Sequence, residues 1–234
     1  MTSRHFALAL AISLLAGCAT NKMPLGSDSD TIEAGAQPIF LMTATFKNDY
    51  VQDSQPRLGT LIVEDVEKPD EYRMTFAIDR KARDEKDTPQ DGNRYLLRMG
   101  LPAGSYVVRG FKGSSGGPVP FLVGIFFAPL HADVKSPLSG VYYLGHVSAT
   151  IRERKGGEFR AGPTIPLMQQ SAHGFSGGTF DVEVSDRLEA DLPELLAKFP
   201  ALRSANIQKA LLAPFDRARA QKFWEGPDPY VETR

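Results

Sequence analysis

From Pro38 to Ser185 the apolar residues return at every second position, and a chain patterned that way buries its apolar side as β-strands. Phe40, Met42, Ala44 and Phe46 share one strand face. Tyr72, Met74, Phe76 and Ile78 alternate with Arg73, Thr75, Ala77 and Asp79. Tyr95, Leu97 and Met99 alternate with Arg94, Leu96 and Arg98. Val141, Tyr143, Val147, Ala149 and Ile151 alternate with His146, Ser148, Thr150 and Arg152, and Phe180, Val182 and Val184 with Thr179, Asp181 and Glu183. Each run predicts a strand with one dry face and one wet face, the habit of antiparallel sheets. Weaker strands are expected at 58–66, 105–112, 120–127 and 164–169, and the glycines and prolines between them point to a sandwich or barrel. The most apolar stretch, 121–130 (FLVGIFFAPL), reads as a central strand buried on both faces; the alternative is an exposed patch for a partner or membrane. The charge-dense 79–93 reads as a solvated loop.

After Val184 the period changes. Leu188, Leu192, Leu195, Leu196 and Phe199 fall on one helical face, with Asp191 and Glu194 as a capping pair and Pro193 inside the first turn. Pro200 ends that helix. Ile207, Ala210 and Leu211 suggest a second short helix, and 215–223 a third. The expected class is therefore α+β and mostly β: an antiparallel β-sandwich followed by two or three short C-terminal helices. The tail around Trp224 and Tyr230 is expected to dock on the sandwich, with recognition of a partner as the alternative.

The N-terminus is patterned differently. Arg4 and His5 precede an uncharged run from Phe6 to Ala16, about eleven residues, which is the layout of a secretory signal peptide. A permanent membrane span needs roughly 17–25 apolar residues. The run ends in Leu15, Ala16, Gly17 and Cys18, a stretch that resembles the lipobox of bacterial lipoproteins. The resemblance implies cleavage before Cys18 and lipid, commonly including a palmitoyl chain, on that cysteine; two or more chains anchor a protein stably. Ala19 after the cysteine implies, by the same resemblance, sorting to the outer membrane with the body facing the periplasm. Cys18 is also the one cysteine of the chain, so neither a disulfide nor a C-x-x-C redox site can form within the body. The expected organisation is 1–17 signal peptide, 18–37 lipidated cysteine and flexible tether, 38–185 sandwich, and 186–234 helices and tail.

A second resemblance lies at Leu101, Pro102, Ala103, Gly104, Ser105, Tyr106, Val107 and Val108. It is similar to the L-P-x-G-x-Y turn and strand of transthyretin-like and carboxypeptidase-regulatory-like sandwiches, which supports a sandwich and implies no catalytic residue. The stretch 141–145 with the later acidic helix resembles uncharacterised envelope lipoproteins.

The chain carries 27 basic and 28 acidic residues, which is no footprint for nucleic acid. Two stretches match the G-x-S-x-G pattern of serine hydrolases, Gly174 to Gly178 around Ser176 and Gly113 to Gly117 around Ser115. That chemistry needs the serine on a strand-to-helix turn, and an alternating or apolar strand follows each stretch. They read as glycine-rich loops; the alternative is a nucleophilic Ser176 with His173 or His146 as base. His131 with Asp133 offers two metal ligands where zinc takes three or four, so no metal and no cofactor is expected. Arg217, Arg219 and Lys222 read as a solvated helix face, or as one that meets anionic head groups. The expectation is a membrane-anchored envelope module without enzymatic activity, binding a protein or glycan. The alternatives are a periplasmic serine hydrolase and a carrier with an apolar cavity.

Overall fold

A computed structural model of the chain describes residues 20–33, 35–69, 73–85, 88–116, 123–163 and 170–226. The strands are β1 (Thr20–Asn21), β2 (Ile39–Asn48), β3 (Arg57–Asp65), β4 (Arg73–Ala77), β5 (Arg83–Glu85), β6 (Asn93–Gly100), β7 (Gly104–Ser115), β8 (Gly124–Ser136), β9 (Val141–Glu153), β10 (Gly178–Ser185) and β11 (Ile207–Lys209). They form a five-stranded sheet in the order β1-β4-β3-β7-β8 and a six-stranded sheet in the order β10-β9-β2-β6-β5, with β11 continuing along β9 past the end of β10. Two α-helices follow β10, α1 (Leu188–Lys198) and α2 (Arg217–Glu225). Among the described residues, no helix is long and apolar enough to cross a membrane. The segment 1–17, Cys18, Tyr72, Gly117, Phe121, 164–169 and Tyr230 lie outside the described residues.

The alternating residues meet in one core between the sheets. Phe46 of β2 lies 5.1 Å from Phe111 of β7, 5.9 Å from Phe126 of β8 and 6.4 Å from Phe180 of β10, ring centroid to ring centroid. Phe175 closes the group at 5.6 Å from Phe126. Burying each such ring stabilises the fold by about 1.5–3 kcal/mol.

The sheets are mixed, not purely antiparallel as the alternation suggested. β2 runs parallel to β9, β1 to β4 and β11 to β9. Period two reports which face is dry and carries no information on strand direction.

The wet faces are wet only in part: Arg73, Asp181 and Glu183 are exposed as expected, and one stretch of the six-stranded sheet is covered. On the outer face of the six-stranded sheet, Ile39, Leu41, Leu96, Val141 and Tyr143 pack under Leu195 and Phe199 of α1 and under Leu202 of the short 3-10 turn Pro200–Ser204. Arg98 and His146, expected in solvent, are buried there, and Thr43 with them. Strand β9 also changes face partway. Its register against β2 slips between Leu41 and Thr43, so Leu144 and Gly145 together oppose Met42. Gly145 takes φ 111°, which a glycine adopts freely and other residues only with strain. Val141 and Tyr143 therefore face α1, while Val147, Ala149 and Ile151 face the main core.

Strand β8 is an edge strand, not a central one, yet it is buried from Phe126 to Ala132. Its edge is covered: the Phe127 N–H donates to Ala161 O at 2.8 Å, and α2 lies across its outer face. Arg217 and Arg219, read as a solvated or lipid-facing row, are committed to ion pairs, Arg217 with Glu158 and Asp181 and Arg219 with Asp133. Trp224 is partly buried against the main core.

Three expectations at the chain's two ends are corrected. Residues 20–25, placed in a flexible tether, are docked: β1 pairs with β4, Met23 and Leu25 are buried, and Arg98 Nε donates to Pro24 O at 2.9 Å. The helix α1 starts at Leu188, so Asp191 and Pro193 lie inside it and not at its cap; Arg187 precedes it without a side-chain cap. The segment read as a second helix forms β11, because Ile207 to Lys209 find free backbone partners beside Val141 to Tyr143.

Candidate functional site

A buried polar cluster sits where α1 crosses the six-stranded sheet. Asp191 points from the helix into the sheet and is fully buried. Thr43 Oγ1 donates to its Oδ2 at 2.5 Å, Tyr143 Oη donates to the same oxygen at 2.6 Å, and Arg94 Nη2 donates to Oδ1 at 2.8 Å. Arg94 also meets Glu194, one turn along. The bulge at Leu144–Gly145 makes this possible, since it brings Tyr143 and His146 onto one face, three residues apart. Burial alone would raise the Asp191 pKa, but the hydrogen bonds from Thr43, Tyr143 and Arg94 outweigh it and hold the carboxylate below its ordinary range.

His146 Nδ1 lies 2.8 Å from Thr43 Oγ1. The single Thr43 proton goes to Asp191, so His146 must carry its proton on Nδ1 and donate. Burial, helped by Arg187 and Arg94 and opposed by Asp191, pushes His146 down to about 4, so it is neutral. The connectivity is imidazole, hydroxyl, carboxylate. A hydrolytic triad places the imidazole in the middle, where it can take the hydroxyl proton and be steadied by the acid. Here the hydroxyl is in the middle, and neither Thr43 nor Asp191 has any exposed surface. The chemistry open to this cluster is to pin α1 to the sheet.

A second cluster lies on the outer face of the five-stranded sheet. Glu64 is buried and accepts from Arg73 Nη2 at 2.6 Å and Arg109 Nε at 2.5 Å. Next to it His131 stands at a register slip in β8, with φ 50° and its ring 4.3 Å from that of Phe223 on α2. Among the described residues neither ring nitrogen has a hydrogen-bond partner. Burial, with Arg109 and Arg219 adding, pushes His131 down to about 4. Asp133, its suggested co-ligand, is engaged by both Nη atoms of Arg219 at 3.0 Å. Among the described residues no three acidic, histidine or cysteine side chains come together as a metal site.

The hydrolase residues are not assembled around Ser176. Ser176 sits in the turn that enters β10, so a strand and not a helix follows it. His146 pairs with Ser185 at the far end of β10, about 25–30 Å away at the strand rise of about 3.3 Å per residue. His173 Nδ1 lies 2.9 Å from Ser54 Oγ, tying the loop after β2 to the turn before β10. The glycines that complete the pattern have packing reasons. A Cβ on Gly178 would lie 2.5 Å from Gly174 O, and one on Gly113 would lie 2.2 Å from Arg57 O. Ser115, in the other stretch, is buried in β7.

A buried pairing that sequence reasoning missed is Arg98 with Asp79. The guanidinium is fully buried, lies 4.2 Å above the Phe199 ring, and is hydrogen-bonded to Asp79 and to Pro24 O. It joins the N-terminal segment, the sheet and the end of α1. A signal for Asp191 was present, since it lies three residues after Leu188 and four before Leu195 on the same helix face.

Comparison of the chain with family models, curated proteins and solved structures returns no match.

Proposed function

We propose that the protein is a bacterial envelope lipoprotein whose two-layer β-sandwich, anchored through lipid on Cys18, serves as a binding or structural module and performs no catalysis. The observation that carries this is the N-terminal stretch itself: a charged start, an apolar run too short to span, and small residues leading to the chain's one cysteine. The polar clusters fit a structural body. Asp191, His146 and Glu64 are each enclosed and committed to holding a helix or a sheet face. Anchoring concentrates such a body at the membrane, where weak contacts with a neighbouring protein or glycan gain from effective concentration.

Crosslinking in intact cells tests this, comparing the native chain with Cys18→Ser. One recurrent partner, captured from the membrane fraction and lost with Cys18→Ser, is the expected result. Equal capture and full function with Cys18→Ser would contradict the anchored module. Hydrolase activity lost on Ser176→Ala would replace it with an enzyme.

A further inference from the structure

Beneath α2 the five-stranded sheet buries a histidine that bonds to nothing. His131 is 3% exposed, and among the described residues neither ring nitrogen has a hydrogen-bond partner. A neutral imidazole leaves one donor and one acceptor idle there, whereas an imidazolium would leave two donors and a charge idle. A bulge sets the position: Leu130 and His131 together oppose Arg109 of β7. Phe223 of α2 closes over the ring.

The surroundings already hold an excess of cations. Arg109 lies 5.6 Å from the centroid of the Phe223 ring, Arg219 reaches in from α2, and Arg73 of β4 stands behind Glu64. Two carboxylates face these three arginines. Glu64 of β3 gives Oε1 to Arg73 and Oε2 to Arg109, and Asp133 of β8 gives both oxygens to Arg219. The hydrogen bonds of Arg219 hold Asp133 below the ordinary carboxylate range, and those of Arg109 and Arg73 outweigh burial to do the same for Glu64. Both acids therefore stay ionised when a histidine titrates. Of the other charged groups on α2, Arg217 is paired with Glu158 and Asp181, while Asp216, Lys222 and Glu225 are exposed.

The helix above is lightly held. It has nine residues, fewer than the roughly 12–15 with which a helix persists alone. Its polar ties lie at the rim: Arg219 to Asp133, Arg217 to Phe180 O at 2.7 Å, and Gln221 Oε1 accepting the Phe159 N–H at 2.7 Å. Exposed ion pairs of this kind contribute little. Under it, Ala220, Phe223 and Trp224 line a crevice with Phe127, Pro129 and Phe159.

We propose that His131 is an acid-sensitive latch: while neutral it lets α2 lie on β8, and once protonated it drives α2 off the sheet and bares Phe127, Pro129 and Phe159. Burial, then Arg109 and Arg219, hold the closed imidazole down at about 4, with Glu64 offsetting only part. A histidine freed into solvent titrates near 6.5, so between pH 7.5 and pH 5 the open state gains roughly 30-fold over the closed one.

Hydrogen exchange of the full chain in mild detergent, read by mass spectrometry at both pH values and corrected for the intrinsic exchange rate, measures this opening. The expected result is a roughly 30-fold loss of protection across α2, while β2 and β9 stay far better protected. Emission of Trp224, the one tryptophan of the chain, shifts to the red over the same range. In His131→Phe the protection of α2 stays level. Protection of α2 that does not change with pH, or that falls equally in His131→Phe, would overturn the latch. So would α2 amides that exchange only together with those of β9, a reading that needs no variant.

Discussion

Replacing Asp191 with alanine removes the carboxylate on which Thr43, Tyr143 and Arg94 converge. Breaking a buried charge pair by deleting one partner costs about 3–5 kcal/mol, and a hydrogen bond to a charged group contributes about 1.5–3 kcal/mol. Arg94 keeps Glu194 at 2.9 Å and some access to water, which places the loss near the lower end, about 3 kcal/mol. At roughly 2–4 °C per kcal/mol for a domain of this size, the thermal midpoint falls by about 6–12 °C. Asp191→Asn keeps an acceptor for the hydroxyls and loses less. Tyr143→Phe removes one donor and costs about 1–2 kcal/mol. The double variant Asp191→Ala with Tyr143→Phe should lose clearly less than the two single losses added, because both act on one oxygen. Guanidinium unfolding of the soluble Cys18→Ser chain, followed by circular dichroism, measures all four variants. A loss below about 1 kcal/mol for Asp191→Ala, or strict additivity with Tyr143→Phe, would refute the claim that this cluster pins α1.

The stability of the body should fall between pH 6.5 and about 4, because His131 and His146 are both pushed down to about 4 while the unfolded chain titrates near 6.5. In that window the unfolded state binds more protons, so their contribution is complete above pH 6.5 and is lost as pH falls. Urea midpoints that are equal near pH 7 and pH 5 would show that neither histidine is buried in its neutral form. His131→Phe gives up no hydrogen bond, since its nitrogens have no partner among the described residues, and should flatten part of that slope while leaving stability near pH 7 within about 1 kcal/mol. Gly178→Ala drives a Cβ to 2.5 Å from Gly174 O and should lower stability by about 2 kcal/mol or more, whereas Ser176→Ala should change it by less than about 0.5 kcal/mol. The reverse ranking in thermal denaturation would contradict the packing account of this glycine-rich turn.

Strand positions were legible because period two survives any direction of pairing, and the aromatic positions 40, 46, 95 and 180 all reach the core. Faces were less legible. Arg98, Thr43 and His146 are polar, and a polar residue opposite a dry face reads as solvent-facing unless a later helix is known to cover it. The cover comes from Leu195, Phe199 and Leu202, more than ninety residues downstream of Arg98 in the chain, and no local pattern links them. Gly145 hid a change of face, because a bulge adds one residue and leaves the alternation on either side intact. Asp191 looked like half of a capping pair since Glu194 follows three residues on, and only the helix start at Leu188 shows that it lies one turn too deep. Residues 20–25 looked like a tether by composition; what docks them is backbone pairing and two apolar side chains, Met23 and Leu25.

Anchoring at Cys18 is the claim on which the proposed module stands. The direct measurement is the intact mass of the protein extracted from cell membranes, with fragmentation of its N-terminal peptide. The account predicts a chain that begins at Cys18 and carries the added mass of diacylglycerol on sulfur, with an acyl group on the new amino terminus. A chain that begins elsewhere, or one that begins at Cys18 with an unmodified thiol, would contradict it.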